Sequence, residues 1–342
     1  MERVRVCLVG AGRAGLVHGR NLVRLPEAQL VAVVDEEGAA RDRACAELGA
    51  RGFRSLEEAL ERAAVDAVCV ATPTFAHRDA VVLAADAGKH VFCEKPLALT
   101  LAQAQEMLQA TRRAGVVLQV GFMRRFDPEF RAARECVASG ELGRLVFVRS
   151  ITRGPGLPPR WAWDPAKGIG LLAEVCSHDF DTLRWLSGSE FRSVFARVAV
   201  RKATEAAVEQ PGFYDVALVT AELEDGTLGS VEGACPVDYG YDARLEVLGT
   251  EGMLAVGSVG PGTYTQVTRD GRVVQHTFRS WRDRFQEAYR AEMWHFLQCV
   301  REGRTPEVTG LDGLRALEAA LAAVESARSG QPQLVGRGGG EP

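Results

Sequence analysis

The chain has 342 residues, of which 46% are hydrophobic and 25% are charged. This composition is typical of a folded globular protein with about two domains, and it argues against a disordered chain, a collagen or a coiled coil. The formal net charge is -4, whereas a nucleic-acid-binding protein is usually basic overall. No apolar stretch approaches the ~20 residues that span a bilayer, and the first apolar run is too short for a signal peptide. We therefore expect no nucleic-acid partner and no membrane association.

The cysteines predict a reducing compartment and no metal site. None of them forms a C-x-x-C pair, and none lies in a Cys/His group with the spacing of a zinc site. Several lie inside apolar runs, where a free cysteine behaves as a small buried hydrophobe. Because disulfides are rare in the cytosol, this usage favours a cytoplasmic protein. The eight cysteines are Cys7, Cys45, Cys69, Cys93, Cys136, Cys176, Cys235 and Cys299.

The first third of the chain alternates short apolar runs with amphipathic stretches. The runs are too short for helices and most are rich in β-branched residues, as in the buried strands of a parallel sheet. Ser55-x-x-Glu58 and Thr100-x-x-Gln103 match the capping-box signature of a helix start. We predict a doubly wound Rossmann domain over residues 1–122. Its strands are expected at Val4–Val9, Leu30–Val34, Ala67–Ala71, Val91–Cys93 and Val116–Val120.

The pattern changes after Gly121, which predicts a second domain over residues 123–342. Strand-like runs separated by turn signals between Phe191 and Phe278 indicate a large, mostly antiparallel sheet. The chain is therefore α/β, with an α+β second domain. Further elements are expected as a strand over Leu145–Ile151 and helices over Pro128–Ser139, about Leu172–Leu186, Trp281–Arg301 and Leu311–Ser329.

The strongest local motif is a G-x-G-x-x-G that follows the first predicted strand and opens a helix. In this context the motif predicts a dinucleotide site whose pyrophosphate lies at the helix N-terminus. Asp35 ends the second predicted strand, where a carboxylate binds the adenosine ribose hydroxyls and repels a 2′-phosphate. We therefore predict NAD rather than NADP as the cofactor. The residues expected to contact it here are Gly10, Gly12, Arg13, Ala14, Gly15 and Asp35.

Two further loops follow predicted strands at the edge where ligands collect in open α/β sheets. One is Ala71–His77 and the other is Cys93–Pro96. Pro73 and Pro96 restrict the backbone, which suits loops that hold a ribose and a nicotinamide. His77 is either a cofactor contact or an ordinary polar residue at a helix start.

Four segments occur in an order that resembles a known family. They are Gly10–Gly15, Ala71–His77, Glu94-Lys95-Pro96 and the distal Glu174-x-x-x-His178-x-x-Asp181. Together they resemble the Gfo/Idh/MocA oxidoreductases over nearly the whole chain. Segments 121–127, 239–242 and 283–290 look most like the inositol 2-dehydrogenase branch. The resemblance implies a Rossmann domain followed by an α/β domain whose open sheet face forms a homodimer, often within a homotetramer.

The resemblance also implies roles for individual residues. Lys95 matches the lysine that touches nicotinamide ribose and substrate, and His178 matches the general acid/base. Glu174 stands where the inositol branch usually carries Asp. Residues at positions that line the cofactor in the family are Thr72, Pro73, His77, Glu94, Lys95 and Met123, and those near the substrate are Arg124 and Tyr239.

The chemistry of these residue types fits oxidation of a secondary alcohol. Free histidine titrates near ~6.5, so His178 can take the hydroxyl proton, and Lys95 can stabilise the developing alkoxide. Glu174 precedes His178 by four residues and lies on the same face if this stretch is one helix. It would then orient the imidazole. We predict an NAD-dependent dehydrogenase that acts on a cyclitol or sugar-like substrate, with Lys95, His178 and Glu174 as its catalytic residues.

Several alternatives stay open at this point. The segment 154–167 departs from the inositol branch, and Trp163 within it lines either the substrate pocket or an oligomer contact. Tyr239 and Tyr241 are either pocket residues or interface residues, whereas Asp181 is expected to be structural. A second enzymatic hypothesis is that NAD stays bound and is recycled, as in glycoside cleavage. A third is a non-catalytic NAD sensor, which has no use for a proton-shuttling histidine.

Overall fold

The computed structural model of the protein describes residues 3–257, 266–267, 273–274 and 277–336. The chain divides into two compact units. The first contains residues 1–126, 166–168 and 287–317, and the second contains residues 127–165, 169–286 and 318–342. Both units therefore take residues from separate stretches of the chain. Among the described residues, no helix is long and apolar enough to cross a bilayer.

The first unit is built on a sheet of six parallel strands. Their order across the sheet is β3-β2-β1-β4-β5-β6, so the direction of winding reverses between β1 and β4. All five predicted strands are present, and a short sixth strand, Arg51–Phe53, is added at one edge. The strands are β1 (Val4–Val9), β2 (Ala28–Val34), β3 (Arg51–Phe53), β4 (Ala67–Val70), β5 (His90–Cys93) and β6 (Leu118–Val120).

Helices join these strands, and two of them begin at the predicted caps. The hydroxyl of Ser55 accepts a hydrogen bond from the Glu58 N–H at 3.3 Å, and that of Thr100 accepts one from the Gln103 N–H at 3.2 Å. Each cap satisfies an N–H that the first helical turn leaves without a partner. The helices are α1 (Arg13–Arg24), α2 (Gly38–Leu48), α3 (Leu56–Arg62), α4 (His77–Asp86) and α5 (Leu101–Ala114).

The second unit is built on a seven-stranded sheet in which only β7 and β10 pair in parallel. Its order is β12-β11-β7-β10-β9-β8-β15, which confirms the predicted large, mostly antiparallel sheet. A separate two-stranded pair is formed by β13 and β14. The strands are β7 (Leu145–Arg153), β8 (Phe191–Ala199), β9 (Val216–Leu223), β10 (Leu228–Ala234), β11 (Asp242–Gly249), β12 (Met253–Val256), β13 (Gln266–Val267), β14 (Val273–Val274) and β15 (Gln333–Leu334).

Two of the predicted C-terminal helices are each divided in two. The helix predicted over 172–186 is interrupted at Val175 and Cys176, and that over 281–301 is interrupted at Phe285. At the first break the chain meets the sheet closely, because a Cβ on Gly233 would lie 2.4 Å from the Cys176 sulfur. The helices are α6 (Pro128–Ser139), α7 (Leu171–Glu174), α8 (Ser177–Ser187), α9 (Thr204–Glu209), α10 (Trp281–Arg284), α11 (Gln286–Glu302) and α12 (Gly310–Ser329).

The core of the first unit includes a helix from near the end of the chain. Met293, Phe296 and Leu297 on α11 are fully buried in the same cluster as Val6 and Leu8 of β1. Burying such side chains stabilises a fold by roughly 1.5–3 kcal/mol each. The first sheet therefore depends on α11 for part of its hydrophobic core.

Candidate active site

The predicted cofactor residues of the first unit follow five neighbouring strands at their carboxyl ends. In the sheet order β2-β1-β4-β5-β6, the strands are followed by Asp35, the glycine loop, Thr72-Pro73, Glu94-Lys95 and Met123. Because the strands are parallel, these ends meet at one edge of the sheet, which is where ligands bind in such folds. Arg124 directly follows Met123 and is buried. The structure thus brings this set together at a single edge.

The glycine loop combines two glycines required by packing with one that faces open space. Gly10 has a φ of +98°, and a Cβ there would lie 2.6 Å from the Ala71 carbonyl oxygen. A Cβ on Gly15 would lie 1.9 Å from the Gly10 carbonyl oxygen, whereas one on Gly12 would have no described atom within 4 Å. Gly12 directly precedes α1, so the open space adjoins N–H groups at a helix start. This arrangement fits a pyrophosphate.

Asp35 is held by backbone donors on both sides. Its carboxylate accepts hydrogen bonds from the N–H of Ala11 and the N–H of Glu37, both at 2.8 Å. The side chain is half-buried, so oxygen lone pairs remain accessible to a ligand hydroxyl. This position beside the glycine loop fits recognition of a ribose without a 2′-phosphate.

A buried histidine that sequence reasoning did not single out holds Glu94. The His18 Nε2 donates to Glu94 Oε1 at 2.6 Å, and Glu94 Oε2 accepts from the backbone N–H of Lys95 at 3.1 Å. Burial alone would raise the pKa of Glu94, but the hydrogen bond and charge of His18, with Lys95, hold it below its ordinary value. His18 lies on the buried side of α1 with Gly15 and Leu22. The helical spacing of these three residues in the sequence was a signal that could have predicted the burial of His18.

His77 lies between the backbones of the two other loops. Its Nδ1 is 3.0 Å from the Pro96 carbonyl oxygen, and its Nε2 is 3.0 Å from the Thr72 carbonyl oxygen. Burial lowers the pKa of His77, against the opposing effect of these carbonyl contacts. Both ring nitrogens thus face backbone, and a role of His77 in direct cofactor contact stays a prediction.

A second acidic residue is buried near Glu94. Glu292 on α11 is 0% exposed, and neither carboxyl oxygen has a hydrogen-bond partner among the described residues. Burial, followed by the negative charge of Glu94, raises the pKa of Glu292 well above its ordinary value. Burial and the charge of Glu94 therefore both favour the protonated form of the Glu292 carboxyl.

The second unit contains Glu174 and His178, which lie on separate short helices. Glu174 ends α7 and His178 is in the first turn of α8, so the expectation of one continuous helix through both residues is wrong. The carboxylate of Glu174 accepts a hydrogen bond from the Ile169 N–H at 3.3 Å. Both side chains are largely buried. The proposed orientation of His178 by Glu174 stays a prediction.

Asp179, which sequence reasoning also passed over, ties the start of α8 to the sheet. Its carboxylate accepts hydrogen bonds from Ser150 at 2.6 Å and from Thr152 at 2.7 and 2.9 Å. All three side chains are buried, and the two hydroxyls lie on one face of β7. Because Asp179 follows His178 directly, this contact fixes the backbone that carries the histidine.

Trp163 and Tyr239 each have a partner within the second unit. The Trp163 Nε1 donates to the Pro158 carbonyl oxygen at 2.8 Å, and its ring packs against Phe213 with a centroid distance of 5.2 Å. The Tyr239 hydroxyl donates to Asp242 at 2.9 Å while its ring stays exposed. Contact of either residue with a substrate stays a prediction.

Comparison with known proteins identifies the family. Residues 4–122 match the Gfo/Idh/MocA model described as an oxidoreductase family with an NAD-binding Rossmann fold, and residues 130–255 match the Gfo/Idh/MocA C-terminal domain. The chain belongs to the Gfo/Idh/MocA oxidoreductase family. This membership confirms the predicted fold and the predicted class of NAD-dependent oxidoreductase.

Individual members of the family resemble the chain over almost its full length. It is 37% identical over 333 residues to scyllo-inositol 2-dehydrogenase (NAD(+)) of Bacillus subtilis strain 168, covering 97% of this chain and 96% of that protein. It is 33% identical over 324 residues to myo-inositol 2-dehydrogenase of Thermotoga maritima, covering 94% and 96%. A scyllo-inositol dehydrogenase structure from Lactobacillus casei, with bound NAD(H) and scyllo-inositol, has a TM-score of 0.91 at 28% identity, covering 97% and 99%. The resemblance to the inositol 2-dehydrogenase branch is thereby confirmed.

Within the described ranges, no group of three or more His, Cys, Asp or Glu residues is arranged to hold a metal ion. The candidate catalytic side chains are Lys95 at the sheet edge of the first unit and Glu174 and His178 on α7 and α8 of the second.

Proposed function

We propose that this Gfo/Idh/MocA protein oxidises a secondary hydroxyl of a cyclitol, in the manner of an inositol 2-dehydrogenase. The observation that carries the proposal is the position of Lys95. It follows β5 at the same sheet edge as the glycine loop and Asp35, in a chain whose relatives over almost their full length are inositol dehydrogenases. When bound, NAD supplies the hydride acceptor.

The protein's own residues then handle the proton and the charge. His178 takes the proton of the reacting hydroxyl as general base, and Lys95 stabilises the negative charge that develops on its oxygen. Glu174 orients His178 or binds a substrate hydroxyl. These roles are supported by the match of Lys95 and His178 to the family pattern and by the limited exposure of His178 and Glu174, which favours a dry site.

We assign the remaining predicted residues to two groups. Substrate contacts are assigned to Arg124, Trp163 and Tyr239, which offer a guanidinium, an indole and a phenol to a polyhydroxylated ring. Cofactor contacts are assigned to Gly10, Gly12, Arg13, Ala14, Gly15, Asp35, Thr72, Pro73 and Met123.

The proposal is tested by NADH absorbance with purified protein, NAD and a panel of inositols, aldoses and sugar acids. We expect turnover on an inositol and loss of at least about 100-fold in kcat for Lys95→Met and for His178→Ala. Lys89→Met is a matched control, because Lys89 precedes the opposite end of the same strand, β5. Full turnover by Lys95→Met and His178→Ala would refute the mechanism.

We further propose that the protein assembles as a homodimer or homotetramer through the open face of the seven-stranded sheet. The register places Leu218, Leu228, Leu248 and Met253 on the same face, and they are 49%, 53%, 44% and 56% exposed. Exposed apolar patches of this kind mark interaction sites. Light scattering after gel filtration should give a dimer or larger, and Leu218→Glu with Leu228→Glu should shift it toward monomer. A wild-type monomer at micromolar concentration would contradict this assembly.

We place the protein in the cytoplasm. All eight cysteines are free, and six of them are buried. Free buried thiols are typical of proteins in a reducing compartment. Fluorescence of a tagged chain in cells, compared with a secreted control, tests this placement.

A further inference from the structure

We propose that His18 and His77 are positioning residues that fix the backbone on either side of Lys95. The Lys95 segment, residues 94–96, is held at Glu94 by one buried histidine and at Pro96 by the other. The inference rests on the proposed function, because it presumes that Lys95 acts on the substrate. Both histidines act through the backbone of the Lys95 segment and not by proton transfer.

The His18 arm reaches Lys95 through a single carboxylate. The His18 ring is 0% exposed and packs against Phe92 and Tyr289, with centroid distances of 4.8 and 5.7 Å. Its Nδ1 has no hydrogen-bond partner among the described residues, so the hydrogen bond of the ring is that between Nε2 and Glu94. A carboxylate only accepts, which means that Nε2 carries the hydrogen.

Glu94 transmits this contact to the main chain of Lys95. One carboxylate oxygen accepts from His18 and the other accepts from the Lys95 N–H, so a single planar group joins α1 to the backbone after β5. The Glu94 N–H donates to the Val70 carbonyl at 2.9 Å, which also ties the residue to β4. Charge-assisted hydrogen bonds of this kind are roughly twice as strong as neutral ones.

The His77 arm holds the other side of the segment. Its ring bridges the carbonyls of Pro96 and Thr72, which belong to the loops after β5 and β4. A neutral imidazole has one N–H and donates to one carbonyl at a time, whereas the charged ring donates to both. With a hydrogen on Nδ1, in the neutral or the charged ring, His77 donates to the Pro96 carbonyl and so couples the Lys95 segment to the neighbouring loop that we assign to the cofactor.

Fixing the backbone matters because the lysine side chain is itself flexible. Its ammonium is at the end of a four-carbon chain, so the position of the backbone of Lys95 determines where the ammonium lies. A misplacement of about 1 Å in a catalytic group costs about 100-fold in rate. Loss of either histidine contact should therefore lower kcat by about 10–100-fold while the glycine loop still binds NAD.

The test compares histidine variants that keep the ring packing with variants that keep a donor. His18→Phe and His77→Phe remove the N–H groups, and His18→Gln and His77→Gln restore an amide N–H. We expect the Phe variants to lose about 10–100-fold in kcat, with the NAD Kd from calorimetry changed by less than about threefold. The Gln variants should recover at least part of the loss, which a purely structural role would not produce.

His295→Phe is the matched control. His295 is a buried histidine of the same unit, its ring packs on Phe126, and it accepts from the Glu307 N–H rather than contacting the Lys95 segment. We expect this variant to lower Tm without lowering kcat. Should a Phe variant fail to fold, Glu94→Gln provides the measurement, since it keeps the shape of the side chain but removes its charge, and a kcat loss of about 10-fold is expected.

The outcomes separate the two proposals. If Lys95→Met keeps full turnover, the proposed catalytic role of Lys95 fails and this inference fails with it. If Lys95→Met abolishes turnover but the folded His18 and His77 variants, or Glu94→Gln, keep wild-type kcat, only the positioning roles are overturned. Equal kcat losses in His295→Phe and in the His18 and His77 variants would also overturn them.

Discussion

The carboxylate of Asp35 accepts the backbone N–H of Ala11 at 2.8 Å, which ties the end of β2 directly to the glycine loop after β1. The same side chain is the one that we propose binds the adenosine ribose. On that proposal, cofactor selection and loop geometry are linked at this residue.

This link gives a prediction for cofactor preference. Asp35→Ala should lower the ratio of kcat/KM with NAD to kcat/KM with NADP by about 10–100-fold, because a lost hydrogen bond to a charged group is worth about 1.5–3 kcal/mol. Steady-state kinetics with both cofactors measures the ratio. Asp42→Ala, a carboxyl on α2 that is 74% exposed, is the control and should leave the ratio unchanged. An unchanged ratio in Asp35→Ala would show that Asp35 does not determine the preference for NAD over NADP.

Gly12 and Gly15 of the glycine loop should respond differently to the same substitution. In Gly15→Ala the new Cβ meets the Gly10 carbonyl oxygen at 1.9 Å, so we expect a lower Tm. In Gly12→Ala the Cβ enters open space, so Tm should stay within about 2 °C while the NAD Kd rises about 10-fold. Calorimetry and thermal unfolding of both variants check this. Equal NAD affinity in Gly12→Ala and wild type would contradict a pyrophosphate at this position.

Glu292 predicts a specific dependence of stability on pH. Its pKa is raised in the folded state, whereas in the unfolded chain it is near ~4.3. Unfolding therefore releases a proton above that pH, and this group's contribution to stability is lost as the pH rises. Glu292→Gln should be close to wild type at pH 5 and more stable at pH 8, by about 2 °C or more in Tm.

The matched control for that experiment lies on the same helix. Glu287 on α11 has a side chain that is 72% exposed, so Glu287→Gln should not change the pH dependence of Tm. A Tm difference between Glu292→Gln and wild type that stays constant from pH 5 to pH 8 would show that Glu292 is ionised in the folded protein.

Asp179 should matter for both stability and turnover. Asp179→Ala removes the carboxylate that accepts hydrogen bonds from the buried hydroxyls of Ser150 and Thr152, and it should lower the unfolding free energy by about 2–4 kcal/mol. Because the same contact fixes the backbone next to His178, kcat should fall as well. Asp179→Asn keeps an acceptor and should lose less of both. Chemical denaturation and steady-state kinetics measure the two effects. Wild-type stability in Asp179→Ala would show that the contact of Asp179 with β7 does not stabilise the fold.

Local patterns were sufficient for five of the six strands of the first sheet and for the glycine loop. Buried parallel strands appear as continuous apolar runs, and the loop glycines stand at spacings fixed by the turn itself. The edge strand β3 escaped prediction because its three residues include exposed Arg51 and Gly52. An exposed strand of this length has no hydrophobic pattern to detect.

Long-range contacts explain what the sequence could not provide. His18 and Glu94 are 76 positions apart, and nothing near either residue indicates the other. The break between α7 and α8 likewise lies where Cys176 closely approaches Gly233 on β10, a residue distant in the sequence. Helical periodicity continues through such a break, because it reports which side of the chain is apolar and not how near the sheet lies.

The use of α11 in the first core has a consequence for the order in which the protein is made. The ribosome releases residues 4–120 first, but Met293, Phe296 and Leu297 follow only after most of the sheet of the second unit has been synthesised. At about 5–20 residues per second, roughly 10–35 seconds separate β6 from α11. During that interval the first sheet lacks the helix that covers part of its apolar surface in the finished protein, so the first unit completes its core only after α11 has been synthesised.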